Sequence, residues 1–367
     1  MVAESKEKTK QYHRLKISFF FIDFILGIAS LYLFVLLGSA QRLEQAILRG
    51  ISFYWFQIAA YATGLSFFLF VIHLPTQVYV GYFLERRFGL SRITFKRWCA
   101  REGKRELLSL LFFLLLVETG YFFVWTMHER WWIGFGILWF FYSWILTQLF
   151  PVWIVPLFYR YTPVEDEALI QTLKTFAQSQ GRDIHSVRAI DLSKDTRRAN
   201  AAVLGIGKLK KIVLGDTLLR TFSHEEIKVV FAHELGHDKE HHVAASLVFS
   251  ALMTFGGIYL VQQVLVGLLP LFRIGEIGTL AALPLFLLLF SLLNFCLMPI
   301  QNGFSRLLER RADAFALRTT GLKEIFVSSM RKLAQQNLAD ESPDRLIEFF
   351  FYSHPSISRR IEFAEAF

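Results

Sequence analysis

Two histidines four residues apart with a glutamate beside the first, His233-Glu234-Leu235-Gly236-His237, are the residues of this chain best placed to do chemistry. On a helix, positions four apart share a face, so both imidazoles reach one metal ion. Glu234 then projects beside an open coordination position, where a carboxylate takes a proton from water. The helix itself is well signalled. Ser223-His224-Glu225-Glu226 reads as a capping box, and Val229, Val230 and Phe231 lead apolar into the motif. Alone, the string also fits a surface helix with two solvated histidines.

A hydrolytic zinc site needs a third protein ligand and leaves a fourth position open. Leu308-Glu309-Arg310-Arg311-Ala312-Asp313-Ala314-Phe315-Ala316 offers one, on a stretch of strong helix formers without Gly or Pro. Glu309 and Asp313 share a helix face. Glu309 is expected to bind the metal, and Asp313 to orient a ligand imidazole from behind. The alternative is an exposed charged helix with both carboxylates paired to Arg306, Arg310 or Arg311. His224, His241 and His242 crowd the first motif and are expected to be solvated helix residues. The expected cofactor is one zinc ion per chain, held by His233, His237 and Glu309.

The elements that must position these groups are unusual. Of 367 residues, 54% are hydrophobic and 16% aromatic, with 39 phenylalanines. Six apolar runs, at about 17–40, 51–73, 107–127, 132–155, 243–268 and 278–298, are each long enough to cross a bilayer as a helix. The chain is therefore expected to be a polytopic α-helical membrane protein with the lipid bilayer as a partner. Five basic residues precede the first run (Lys6, Lys8, Lys10, Arg14, Lys16) and eight lie between the second and third, from Arg86 to Arg105. The alternate loops hold only Arg42, Arg49, Arg130 and Arg273. This asymmetry predicts a cytoplasmic N-terminus, and six spans return the C-terminus and both metal-binding segments to the same side. The net charge of +9 is thus topological and calls for no nucleic acid. Cys99 and Cys296 fall in a cytoplasmic loop and a span, so neither a disulfide nor a metal cluster is expected. Asp23 and Glu118 lie within spans, where ionisable groups line a hydrated chamber or pair with other polar groups.

Four regions follow: an N-terminal membrane region (1–159), the first part of a catalytic domain (160–242), a membrane hairpin (243–298) and the second part of that domain (299–367). Within the water-facing segment, 163–180 reads as an amphipathic helix with Leu169, Leu173 and Phe176 at helical spacing. Residues 187–192 alternate as a strand, and 199–204 and 211–214 read as two strands joined through Gly205-Ile206-Gly207. His237 lies six residues before the fifth run and Glu309 eleven after the sixth, roughly 9 and 16 Å along continuous helix, so the metal is expected near the membrane face.

With these residues in hand, the chain resembles the integral-membrane zinc metalloproteases of the type I CAAX prenyl endopeptidase family, which are gluzincins. Leu74-Pro75 with Glu85-Arg86-Arg87-Phe88-Gly89 resembles a family loop, and Pro151, Pro156-Leu157-Phe158 and Thr162-Pro163-Val164-Glu165-Asp166 the entry to its protease domain. The resemblance implies a split cytosolic gluzincin-like α+β domain with His233, His237 and Glu309 as ligands and Asp313 behind them. It implies that Asn200-Ala201 belong to an edge strand holding the substrate backbone by strand addition. Ser353-His354-Pro355-Ser356-Ile357-Ser358-Arg359-Arg360 resembles the family's C-terminal motif, which implies that His354 and Arg360 steady the oxyanion; without it, His354 reads as a turn residue and Arg360 as a solvated charge. Two departures stand out. Eukaryotic members have seven spans, which puts a complete intramembrane chamber in question, and Asp238-Lys239-Glu240-His241 differs from the family's usual residues.

The function expected is hydrolysis of peptide bonds near the cytoplasmic membrane face, with Glu234 as general base. Substrates would be prenylated C-terminal peptides or damaged membrane proteins; a bacterial inner membrane is favoured over endoplasmic reticulum as the location. Two rivals from other classes are a non-catalytic scaffold with a structural zinc, which would want four protein ligands, and a transporter, which would want inverted repeats.

Overall fold

The computed structural model describes residues 2–205 and 210–367. Apolar length sets the architecture. Helix α1 (Val2–Leu36) ends where Gly38 takes a left-handed φ of 71° and redirects the chain into α2 (Ser39–Gly50). Twelve residues of helix reach only roughly 18 Å, too short to cross a bilayer. Helix α3 (Tyr54–Val78) runs on through a π-helical turn, Tyr79–Leu84, into α4 (Glu85–Arg87).

Among the described residues, five stretches are long and apolar enough to span, and one of them, Phe95–Leu157, has 63 residues. As a straight rod it would reach roughly 95 Å, about three hydrocarbon thicknesses. It folds back instead at His128–Arg130, where His128 has a φ of 50°, giving α5 (Phe95–Met127) and α6 (Trp131–Leu149). The hairpin closes on small residues: a Cβ on Gly134 would lie 2.5 Å from the Phe123 ring. The fold therefore has six crossings, the last two being α10 (His242–Leu268) and α11 (Ala282–Thr320). Between the spans lies a cavity of about 820 Å³ lined by Phe20, Phe24, His73 and Phe113, among others. Asp23 also lines it and accepts hydrogen bonds from the His73 ring (2.7 Å) and from the Thr76 hydroxyl. Cys99 and Cys296 are both free.

The water-facing domain differs from the sequence expectation mainly at its edges. Tyr161–Pro163 is strand β1 rather than the start of a helix, and α7 (Glu167–Ser179) begins only after Asp166, whose carboxylate accepts from the Leu169 amide. Strands β2 (Ser186–Ile190), β3 (Ala201–Leu204) and β4 (Lys211–Gly215) complete a sheet in the order β1-β2-β4-β3, with β3 at its edge and antiparallel to β4. The link expected through Gly205-Ile206-Gly207 lies, for Ile206 and Gly207, outside the described residues. After the short α8 (Asp216–Leu219) comes α9 (His224–Lys239), capped by both halves of the Ser223/Glu226 box. Helices α12 (Lys323–Asn337), α13 (Arg345–Phe351) and α14 (Ile357–Glu365) pack beside α9 and the end of α11.

One packing contact brings the two halves together. Gly236 lets α9 approach α11 so closely that a Cβ there would sit 3.2 Å from Ala312 Cα and 3.2 Å from Phe315 Cβ. Gly236→Val should force the helices apart, lowering the thermal unfolding temperature by the equivalent of about 1–3 kcal/mol and reducing metal retained on purification; both are read on detergent-purified protein by thermal denaturation and metal analysis.

Candidate active site

Helix α9 presents His233 and His237 on one face, and α11 brings Glu309 against them. His233 Nε2 lies 3.2 Å from His237 Nε2 and 3.2 Å from Glu309 Oε2, and His237 Nε2 lies 3.4 Å from Glu309 Oε1. A tetrahedron with ligand bonds of 2.0–2.1 Å has edges of roughly 3.3–3.4 Å, and each of these contacts, two of them to different Glu309 oxygens, is close to that spacing; one donor atom from each residue lies within 4.8 Å of the others. The donor set, two imidazoles and a carboxylate, also suits zinc. Glu309 Oε2 is buried and accepts no hydrogen bond among the described residues, a cost that a cation would remove. The residues fit the metal.

Behind the triangle, Asp313 Oδ1 lies 2.8 Å from His233 Nδ1, which leaves Nε2 facing the other two donors. Asp313 is 1% exposed and is itself gripped by Arg360, which donates through Nε (2.9 Å) and a terminal nitrogen (2.6 Å) in a bidentate pair. Arg360 is thus a buried partner of Asp313, with its terminal nitrogen also 3.4 Å from His233 Nδ1. His354 lies on the other side, with Nε2 3.3 Å from Glu309 Oε1. The segment carrying it is tied down by Arg306, which donates to the carbonyls of Glu348, Phe349 and Tyr352. Arg306 and Arg310 are therefore not the partners of Glu309; Arg310 stacks over the Phe363 ring.

Electrostatics follow from this enclosure. Burial pushes the Glu234 carboxyl up to about 7, the His233 charge opposing and the Glu309 charge assisting. Burial also works against a charged His233 ring, but the Asp313 and Glu309 carboxylates beside it outweigh that and carry it up to about 9. His237, withdrawn from solvent and close to His233, is held down to about 4.

Glu234, His233, His354 and Arg360 line one cavity of about 360 Å³ with Asn200 and Ala201. Its upper rim is the free edge of β3. The Gly215 amide donates to the Asn200 carbonyl (2.8 Å), and antiparallel pairing alternates, so Ala201 and Val203 turn their backbone groups away from β4. Ala199 would also face outward, but the Asn337 side chain occupies both its amide (2.9 Å) and its carbonyl (3.3 Å). The Ala201 amide donates to the Asn200 side-chain oxygen (2.9 Å), so the open edge begins at the Ala201 carbonyl.

Every expected site residue is brought to this one place. His242 departs from expectation: it is 2% exposed, with Nδ1 3.0 Å from His237 Nδ1, whereas His224 and His241 are exposed. Asn337 was not foreseen either. The residues after His237 are tied to the rest of the domain: Asp238 binds Arg182 (2.8 Å) and Lys210 (2.6 Å), and the exposed Lys239 donates to the Gln180 carbonyl.

Residues 163–367 match peptidase family M48, and residues 1–160 match the family described as CAAX prenyl protease N-terminal, five membrane helices. In this chain that second region holds four helices of spanning length and the short α2. The chain is similar to the uncharacterized metalloprotease YhfN of Bacillus subtilis, at 29% identity over 97% of this chain and 84% of that protein. It is similar to CAAX prenyl protease 1 of Saccharomyces cerevisiae, at 27% identity over 79% of this chain and 68% of the relative. The crystal structure of S. mikatae Ste24p superposes with a TM-score of 0.86 at 25% identity, covering 98% of this chain and 88% of that one.

The raised Glu234 carboxyl makes a stability prediction for metal-stripped protein. A carboxyl whose folded value, about 7, exceeds its ordinary 4.5 binds its proton more tightly when folded. Stability is then lost as pH rises from the lower value through the higher. Glu234→Gln should unfold at a higher temperature than wild type above pH 7, by the equivalent of on the order of 3 kcal/mol. The advantage should shrink to nothing below pH 4.5; melting curves across that range of pH measure it.

Proposed function

The chain belongs to peptidase family M48 and is a membrane-embedded metalloendopeptidase, and from that premise we propose that one zinc ion per chain, held by His233, His237 and Glu309, serves a peptide-bond hydrolysis carried out at the cytoplasmic membrane face. The observation that carries this reading is the cluster of His233, His237 and Glu309, with contacts of 3.2–3.4 Å among their donor atoms, and the half-buried Glu234 adjoining it in sequence and lining the same cavity. When bound, the zinc supplies Lewis acidity that polarises the scissile carbonyl and lowers the pKa of water.

The remaining work falls to side chains. Glu234 takes the proton from the attacking water and passes it to the leaving amine; burial has already moved its affinity for a proton toward neutrality, where such a shuttle is most effective. The substrate lies along Ala201 and Val203 as an added strand, aligned by Asn200-Ala201 and stopped short of Ala199 by Asn337. His354 faces the developing oxyanion. Arg360 acts chiefly through Asp313, holding His233 in place, and its positive charge adds to the field at the oxyanion.

Location narrows the substrates. Helix α11 runs unbroken from the bilayer to Glu309 and Asp313, and α10 starts five residues after His237. Bonds presented close to a membrane anchor fit best, on prenylated C-terminal peptides or on damaged membrane proteins. The basic residues of the N-terminus and of 86–105 support an active site on the cytoplasmic side. The extent of similarity to a bacterial relative, over 97% of this chain, supports a bacterial inner membrane and, with it, the second substrate class.

The test is cleavage by detergent-purified protein of a fluorogenic farnesylated CAAX peptide, its unfarnesylated twin and an unfolded membrane protein. Glu234→Gln should lower kcat by about 10²–10⁴-fold at unchanged zinc content. A chelator should abolish cleavage of every substrate and added zinc should restore it. Activity surviving both treatments would refute the mechanism; the preferred substrate decides between the two classes.

A further inference from the structure

A histidine that binds a metal through one ring nitrogen carries its proton on the other, and that proton needs an acceptor. Asp313 answers this need for His233. For His237 the group in position is His242, whose Nδ1 lies 3.0 Å from His237 Nδ1. The two rings meet edge-on, with centroids 5.0 Å apart and planes at 77°. Its placement is specific. On a continuous helix, residues five apart sit on different faces, but His241 adopts a left-handed φ of 57° between α9 and α10, and the first residue of α10 is turned back against His237.

Two like nitrogens at that distance share one proton, and the metal site decides which holds it. If His237 Nε2 is to face His233 and Glu309 as a ligand, its proton sits on Nδ1 and is donated to His242 Nδ1. His242 must then carry its own proton on Nε2, which faces a Glu240 carboxylate oxygen at 3.4 Å, within ion-pair reach but without a hydrogen bond among the described residues. This assignment gives the His237 proton its acceptor and sets the remaining His242 proton toward the carboxylate. The reverse assignment directs a His237 N–H into the donor triangle, where no cation would be accepted. His242 is not itself a ligand, because its near nitrogen meets the back of the His237 ring.

We propose that His242 is the positioning residue of the second metal ligand: it accepts a hydrogen bond from His237 Nδ1, thereby presenting Nε2 to the metal, with its own Nε2 proton facing the Glu240 carboxylate. The inference rests on the reading of His233, His237 and Glu309 as a metal site. It gives the two ligand histidines unlike supports, an arginine-paired carboxylate for one and a neutral imidazole for the other.

Zinc transfer from the purified, zinc-loaded protein to a chromophoric chelator tests this without any substrate. His242→Ala should weaken zinc binding by about 10–100-fold. His242→Asn, whose side-chain oxygen also accepts from His237 Nδ1, should restore most of that loss, and His241→Asn, which tolerates the left-handed turn, should match wild type. Thermal unfolding of the zinc-free proteins separates a loss of packing from a loss of zinc affinity. Equal zinc affinity in wild type and His242→Ala would overturn the proposal, as would equal weakening in His242→Ala and His242→Asn. Wild type that takes up no stoichiometric zinc would show a different failure, that of the metal site itself, and the inference would fall with it.

Discussion

The close approach of α9 to α11 at Gly236 is the constraint on which the rest depends. The two motifs lie more than seventy residues apart with a membrane hairpin between them, and neither is a site alone. With Ala312 and Phe315 opposite Gly236, the histidine face of α9 meets the carboxylate face of α11 at a spacing set by backbone contact rather than by flexible side chains. Interiors are packed densely enough that this contact admits little adjustment, so the 3.2–3.4 Å contacts among His233, His237 and Glu309 are a product of helix packing before any ion arrives.

Packing so tight encloses many charges, and their balance explains the inner arrangement. Burying Asp313 at 1% exposure would be costly for a lone carboxylate, but Arg360 neutralises it through two hydrogen bonds. Asp313 is then free to orient His233 without presenting a full uncompensated charge to the metal pocket. Glu234 has no such partner, and its carboxyl drifts up to about 7 instead. The same enclosure thus fixes one carboxylate as a structural anion and leaves another poised to exchange a proton.

Much of this was legible in the sequence, for identifiable reasons. The His233/His237 and Glu309/Asp313 pairs each obey the i, i+4 spacing of one helix face, and the Ser223/Glu226 box announces where α9 begins. Six crossings follow from apolar length, and the break between the runs at 107–127 and 132–155 coincides with the turn at His128–Arg130 between α5 and α6. What the sequence hid are contacts that break local periodicity or span the chain. His242 is buried against His237 only because His241 interrupts the helix. Asn337 reaches Ala199 from 138 residues away, and Arg360 reaches Asp313 from 47. A charged arginine beside a proline-containing turn carries no local sign that its guanidinium lies buried in a bidentate pair.

Splitting the catalytic domain around a membrane hairpin has a mechanical consequence. Each half is continuous with a spanning helix, α10 leaving immediately after His241 and α11 arriving through Pro299 and on to Thr320 as one helix of 39 residues. The metal-binding faces therefore inherit their depth and orientation from the bilayer. Further ties act in the same sense: Tyr12 and Glu85, on the extensions of the first two spans, hold Arg198 two residues before Asn200, and the His13 ring meets the Leu338 carbonyl just past α12. The edge strand, the metal triangle and the segment bearing His354 are all fastened to helices that cannot tilt independently of the membrane. A soluble domain on a flexible tether would meet anchored substrates by diffusion at many heights. On the proposed reading, the height of the reacting bond above the bilayer is built into helix length, which would make distance from the membrane a determinant of specificity alongside sequence.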